Sequence, residues 1–417
     1  MRPRSADYIV GLDIGSSKVA CFIAEVSENY TPRVIGYGTH ASTGIKSGMV
    51  VGMDDTEHAI REAVHMAEEM AGVQVQSVYV SLSGVHIDSH STDGLVVLGS
   101  HEIADSDLDK VIDVACAKQL DGDRQIIHAL ATRYLLDDQT EIRDPRGMIG
   151  ARLAANVHIV SAAKAAVRNI VRCVEKCNLE VEEVAVSPLA SAMATLVPDE
   201  RELGVALVDI GGGTCDIAIY EEDSLVHTAV IPLGGQHITS DIARGLSTPM
   251  QHAERIKSLY GCALARALES DDNIDIPHVG EDEETMTGHI TRGQLAGIIQ
   301  PRCEEILEMV RERIEKSGFE NAVGRRVVLT GGTSQLSGMR QLAEMVLDKS
   351  VRIAKPTGVE GLTSMSGIPS FATASGLLIY GLQRQVQHRR MRRKVSVPGT
   401  GMFASVSRWM KESFQVS

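Results

Sequence analysis

The chain has 417 residues, 43% of them hydrophobic and 23% charged, an ordinary globular composition with length for two or three compact units. It has no run of about 18 apolar residues, and Met1–Asp7 is polar, so neither a membrane-spanning helix nor a secretory leader is expected and the protein should stay inside the cell. The net charge of −14 is uneven: residues 384–417 hold eight Lys or Arg against one acid, a net +7 that leaves −21 on the body, which argues against non-specific DNA binding by the body and leaves the tail to meet an anionic surface.

In chain order, 8–14 and 19–26 read as strands flanking a tight turn, Gly15-Ser16-Ser17. Residues 54–70 space Ala59, Ile60, Ala63, Val64 and Ala67 as one helical face, and 77–83 alternates as a strand. From about 84 to 161 a helix (106–119) sits among strands such as 125–133 and 156–160, enough for a small α/β insertion. Helices follow at 164–177 and 187–196, the second with Pro188 in its first turn. Residues 204–220 return to strand–turn–strand, followed by helices at 238–245 and 250–259. The acid-rich stretch 269–284 reads as a solvated surface excursion. A long amphipathic helix, 291–316, is expected to be divided by Pro301. A buried strand, 325–329, ends in Thr330-Gly331-Gly332-Thr333, and a last helix covers 371–382. Beyond it lie a basic run (388–394), the break Pro398-Gly399-Thr400-Gly401 and a final helical stretch. The seven cysteines are odd in number and scattered; the closest two, Cys173 and Cys177, lack the partners of a zinc site and read as reduced thiols.

One repeat carries chemistry. Leu12-Asp13-Ile14-Gly15 recurs as Val208-Asp209-Ile210-Gly211, each followed by small residues and a second apolar strand, which suggests two lobes of like fold facing one another. A polyphosphate needs close approach of backbone N–H groups, and a Cβ blocks it. Hence Gly15, Ser16 and Ser17 on one side and Gly211, Gly212, Gly213 and Thr214 on the other. Asp13 and Asp209 would repel phosphate unless a divalent cation lies between, and a hydrated Mg²⁺ suits two carboxylates. Lys18 adds a point charge. The strand running into Gly331, Gly332 and Thr333 can set a nucleoside against backbone. Neither a P-loop nor a dinucleotide-binding glycine motif is present.

These three elements in this order resemble the first phosphate, second phosphate and adenosine motifs of the actin / DnaK-type chaperone / sugar kinase superfamily. Within it the chain most resembles the FtsA family of bacterial cell-division proteins, over essentially its whole length. Supporting motifs are Ser81-Leu82-Ser83-Gly84, Leu233-Gly234-Gly235 and Ala253-Glu254-Arg255-Ile256-Lys257. The resemblance implies an α/β, actin-like two-lobed ATPase fold with an inserted subdomain in the first lobe. It divides the chain into a first-lobe core (1–84, 162–197, 357–383), an insertion (85–161), a second-lobe core (198–230, 310–356), a second-lobe subdomain (231–309), a basic flexible linker (384–400) and a terminal helix (401–417). It further implies ATP and Mg²⁺ as cofactors. Asp13 and Asp209 would hold the metal through water, with Asp216 ordering metal water, and Lys18 and Thr214 would contact phosphate. Gly234 and Gly235 would follow the second hairpin, Glu254 and Lys257 would reach ribose and adenine, and Gly331, Gly332 and Thr333 would line the nucleoside. The implied partners are FtsZ, docking on roughly 231–309, a second copy of the chain in a filament, and other division proteins through the insertion; no water-activating residue stands out.

On a helical wheel the tail places Met402, Phe403, Val406, Trp409, Met410 and Phe414 on one arc, with Arg408 and Lys411 opposite. Such a helix suits the headgroup layer of a membrane, and the basic run attracts anionic lipid; nucleic acid is not an expected partner. The expected location is the cytoplasmic face of the cell's inner membrane at the division site. The alternatives are a small-molecule kinase or a pilus-assembly protein of the same superfamily. A chaperone is discounted, because 384–417 is too short for a peptide-binding domain.

Overall fold

The computed structural model describes residues 8–27, 30–117, 122–268, 272–279, 288–362 and 368–395. The tail residues 402–414 and much of the acid-rich stretch lie outside the described residues.

Two five-stranded sheets form the frame. The first runs Glu180–Val186, Ser77–Leu82, Tyr8–Ile14, Lys18–Val26, Pro32–Ala41. The second runs Ser350–Ile353, Arg326–Thr330, Val205–Ile210, Cys215–Glu221, Ser224–Ile231. In each, three antiparallel strands continue into two parallel ones, so the repeated hairpin occupies the same place in both sheets. The central strands are buried on both faces: all six residues of Val205–Ile210 and five of six in Ser77–Leu82. That burial explains continuous apolar runs where a half-exposed strand would alternate.

Helix Ser187–Thr195 is buried almost all round, as expected of a helix inside a core, and packs against the last helix, Ala372–Val395. The first lobe's core continues past them into Leu207, Ala218 and Val328 of the second sheet, while the rest of the second lobe has its own core. The lobes therefore share a floor and part above it. The insertion is a four-stranded sheet, ordered Ile87–Glu102, Ile149–Ala163, Arg124–Leu136, Gln139–Ile142, with helix Asp105–Ala117 packed on it and a core of its own. It touches the second lobe at Ser224–Ile231, where the Ser89 hydroxyl donates to the Thr228 carbonyl at 2.8 Å.

Three expectations are corrected. Arg292–Lys316 is one helix despite Pro301. The carbonyl that Pro301 orphans belongs to exposed Gly297 and faces solvent, and Leu295, Ile299, Cys303 and Ile306 anchor both halves in one core. Its start is fixed by a capping box in which Thr291 and Gln294 bond each other's backbone N–H. The acid-rich stretch is not all excursion: Asn273–Ile276 pairs with Gly288–Thr291, and alternation buries Ile274 and Ile276. The last helix does not stop at residue 382 but runs to Val395, through the first part of the expected linker. No Gly or Pro follows Gly381 until Pro398, and Gln and Arg are good helix formers. Among the described residues no helix is long and apolar enough to cross a membrane.

Candidate functional site

The repeated hairpins close with the same bond: the Gly15 N–H donates to the Lys18 carbonyl at 3.0 Å, and the Gly211 N–H to the Thr214 carbonyl at 2.9 Å. The two turns meet across the mouth between the lobes. A Cβ on Gly212 would fall 2.7 Å from the Ser17 Cβ, and one on Gly213 2.5 Å from the Ser16 hydroxyl, so only backbone fits between them. Around this meeting point opens a cleft of about 880 Å³, within the range of small-molecule sites.

The floor is acidic. Asp13 accepts from the Ser81 hydroxyl at 2.8 Å. Asp209 and Asp216 stand opposite each other in the second hairpin, an arrangement that is unfavourable for two like charges. Asp209 accepts from Thr373 at 3.2 Å, and Asp216 from Ser83 at 2.6 Å and Thr214 at 3.1 Å. Burial first, and then the neighbouring carboxylates, push Asp209 and Asp216 up to about 7; burial also raises Asp13, against the pull of Ser81 and Lys18. Lys18, the cation beside these carboxylates among the described residues, is driven down to about 8 by burial despite Asp13 and Asp209. Its ammonium donates to Ser370 at 2.7 Å and lies 3.5 Å from the centre of the Phe371 ring. A site this short of positive charge fits a divalent cation. Among the described residues no three His, Cys, Asp or Glu come together as a direct cage. The donor set therefore suits a hydrated ion held partly by its ligand, as Mg²⁺ prefers.

At the far end, Gly331 adopts φ +86°, and a Cβ there would sit 2.3 Å from an Asp209 oxygen. Only glycine lets this turn rest on the carboxylate. The Thr333 hydroxyl donates to the Gly211 carbonyl at 2.9 Å, and Gly332 lies beside Ser370. Lys257 lines the cleft, but its three ammonium protons already have acceptors: the Gly235 carbonyl at 3.0 Å, Thr239 at 2.8 Å and Glu254 at 2.7 Å. It holds the wall in place and is not free to reach outward. Glu254 is half-exposed beside it.

Asp13, Gly15, Ser16, Ser17, Lys18, Asp209, Gly211, Gly212, Gly213, Thr214, Asp216, Gly235, Glu254, Lys257, Gly331, Gly332 and Thr333 all line this one cleft. Gly234 stands behind it, its N–H bonded to His237 at 3.1 Å. Met402, Phe403, Val406, Arg408, Trp409, Met410, Lys411 and Phe414 lie outside the described residues. Sequence reasoning gave no role at the site to Ser83, Gln236, Thr239, Ser370 or Thr373. The Ser-x-Ser of Ser81 and Ser83, at the carboxyl end of a parallel strand beside the first hairpin, is the signal that would have found Ser83, because such ends carry ligand sites in α/β sheets.

Comparison with known proteins places this geometry. A family model described as "Cell division protein FtsA" matches residues 206–376, and one described as "SHS2 domain inserted in FTSA" matches 84–161. A Pseudomonas aeruginosa protein named "Cell division protein FtsA" is 41% identical over 416 residues, covering 99% of each chain. Solved structures share the fold at low identity. The "PilM-PilN type IV pilus biogenesis complex" aligns with a TM-score of 0.63 at 19% identity, over 90% of this chain and 98% of that one. MreB5 of Spiroplasma citri bound to ADP gives 0.56 at 13%, over 93% and 99%, and the MamK double helical filament 0.51 at 11%, over 89% and 98%. The fold is thus actin-like, two-lobed and α/β, with an inserted SHS2 subdomain.

Proposed function

The chain belongs to the FtsA family of cell-division proteins, and on that premise we propose that it is an ATP-binding, actin-like adaptor that joins FtsZ filaments to the cytoplasmic face of the inner membrane. One observation supports this above others: two turns of glycine and small hydroxyl residues and three aspartates, two of them buried, converge on a single cleft. The backbone N–H groups of the turns and Lys18 would hold a triphosphate. Asp13, Asp209 and Asp216 would hold the water shell of its Mg²⁺, an ion whose chemistry when bound is to neutralise phosphate charge. Gly331, Gly332 and Thr333 would back the nucleoside, and Glu254 would face it. Lys257 would act through the wall it ties together. ATP would keep the lobes closed, and closed copies would associate into a filament, as MamK, a protein of the same fold, is seen to do. FtsZ would dock on the second-lobe subdomain and further division proteins on the insertion.

The membrane contact rests on the sequence of residues 402–414 and the basic run before it. The cell-division relative, at 41% identity, favours this reading over the pilus protein at 19%. Liposome co-sedimentation tests it, using vesicles with anionic lipid, FtsZ, Mg·ATP, the full chain and a chain ending at His388. The full chain should pellet with the vesicles and bring FtsZ with it, and the shortened chain should leave both in solution. Equal pelleting of the two chains would remove the membrane assignment.

A further inference from the structure

The second turn and the helix that follows it, Gly235–Leu246, form one unit. The Gly235 N–H donates to the Gly211 carbonyl at 2.9 Å and the Gln236 N–H to the Gly212 carbonyl at 2.8 Å. Thr333 bonds the Gly211 carbonyl from the other side, and Lys257 ties Gly235 to Thr239 and Glu254 on the next helix, Met250–Tyr260. The first turn is equally fixed within its own lobe: the Gly48 N–H donates to the Ser16 hydroxyl at 3.1 Å, and the Ser42 N–H to the Ser17 carbonyl at 3.1 Å. Between these units the Gln236 side chain crosses the cleft and donates its amide to the Ser16 carbonyl at 2.8 Å. A backbone carbonyl only accepts, so the amide nitrogen faces it and the Gln236 side-chain oxygen is the group left over. Among the described residues, no other hydrogen bond joins the 15–17 turn to the second lobe.

From this geometry we propose that Gln236 is a positioning residue, a latch that ties helix Gly235–Leu246 to the first turn and so links the phosphate end of the cleft to the opening of the lobes. The proposal rests on reading the cleft as a nucleotide site, because a phosphate seated between the turns lies against the same amide. Any lobe opening that separates the turns must break this bond, together with those of Ser83 to Thr214 and Asp216. The motion would then pass as a rigid body through Lys257 and Glu254 to helix Met250–Tyr260, which carries the exposed Met250 and Leu259.

The test uses the full chain with Gln236→Met, which keeps the length and removes the donor, and Gln236→Lys, which restores a donor. Hydrogen exchange over 235–246 is measured without nucleotide, and release of a fluorescent ATP analogue is measured with Mg²⁺. The methionine variant should exchange and release about two- to twelve-fold faster, the ratio corresponding to one net hydrogen bond. The lysine variant should return both to within two-fold of wild type or slower. Unchanged exchange in the methionine variant, or a lysine variant as fast as it, overturns the latch. A wild type that fails to bind the analogue would sink the nucleotide reading instead, while the exchange arm still decides the latch.

Discussion

Replacing Asp209 by Asn should stabilise the nucleotide-free protein at pH 8 and destroy its affinity for Mg·ATP. Asp209 is buried at the cleft floor, and its carboxyl is pushed from 3.8 to about 7, chiefly by burial and then by Asp13. A shift of roughly three units means that the ionised form costs the fold about 4 kcal/mol at pH 8. The sign follows from linkage: the folded pKa lies above the unfolded one, so the native state binds the proton more tightly. Wild-type stability is then greatest below pH 4 with respect to this group and falls as pH rises towards 7. Asn has no charge to desolvate and still accepts from Thr373, so it should escape the loss. Urea unfolding in EDTA at several pH values measures the difference. The Asn variant should unfold at higher urea than wild type at pH 8, with the gap closing towards pH 4. A variant less stable than wild type at pH 8 would refute the reasoning, because it would mean that the ionised carboxylate is already compensated by protein groups.

Gly331→Ala forces a left-handed conformation on a residue with a Cβ and drives that atom into Asp209, so a loss of at least about 1–2 kcal/mol and of nucleotide affinity is expected, read by urea unfolding and calorimetry. Acid should loosen the seam between the insertion and the second lobe. His158 is buried and driven down to about 3 by burial, with His227 of the second lobe and His90 adding to the effect. Burial also lowers His227, with Arg313 adding to the effect and Asp88 opposing it. With its folded pKa below the unfolded one, His158 contributes fully above about pH 6.5 and loses that contribution as pH falls, roughly 2 kcal/mol by pH 5. Hydrogen exchange over Ser224–Ile231, corrected for intrinsic rate, should rise between pH 7.5 and 5 and rise less in His158→Leu; equal protection at both pH values contradicts this.

What could be read in advance was local. The two hairpins announce themselves because turn chemistry is written in adjacent residues, Gly15-Ser16-Ser17 and Gly211-Gly212-Gly213-Thr214, and their likeness implied the paired sheets. What escaped depended on distance. Thr373 meets Asp209 and Ser370 meets Lys18 from sequence separations of 164 and 352, and nothing near either pair signals it. Ser83 follows the strand Ser77–Leu82, and its partners Thr214 and Asp216 lie more than 130 residues away, so the strand pattern gave it no role. Lys257 was legible as a cleft residue but not as an occupied one, because two of its three acceptors arrive from the preceding helix. Pro301 misled because helix continuity is decided by packing of the flanking apolar residues, which a local rule does not see.

The most direct measurement is isothermal calorimetry of ATP into the purified full chain, with Mg²⁺ and then with EDTA, beside the double variant Asp13→Asn, Asp209→Asn. Binding should be saturable with magnesium, much weaker in EDTA and absent in the double variant. No heat of binding to the wild type at millimolar Mg·ATP, or equal binding by the double variant, would contradict the claim that the two aspartate hairpins form one nucleotide site.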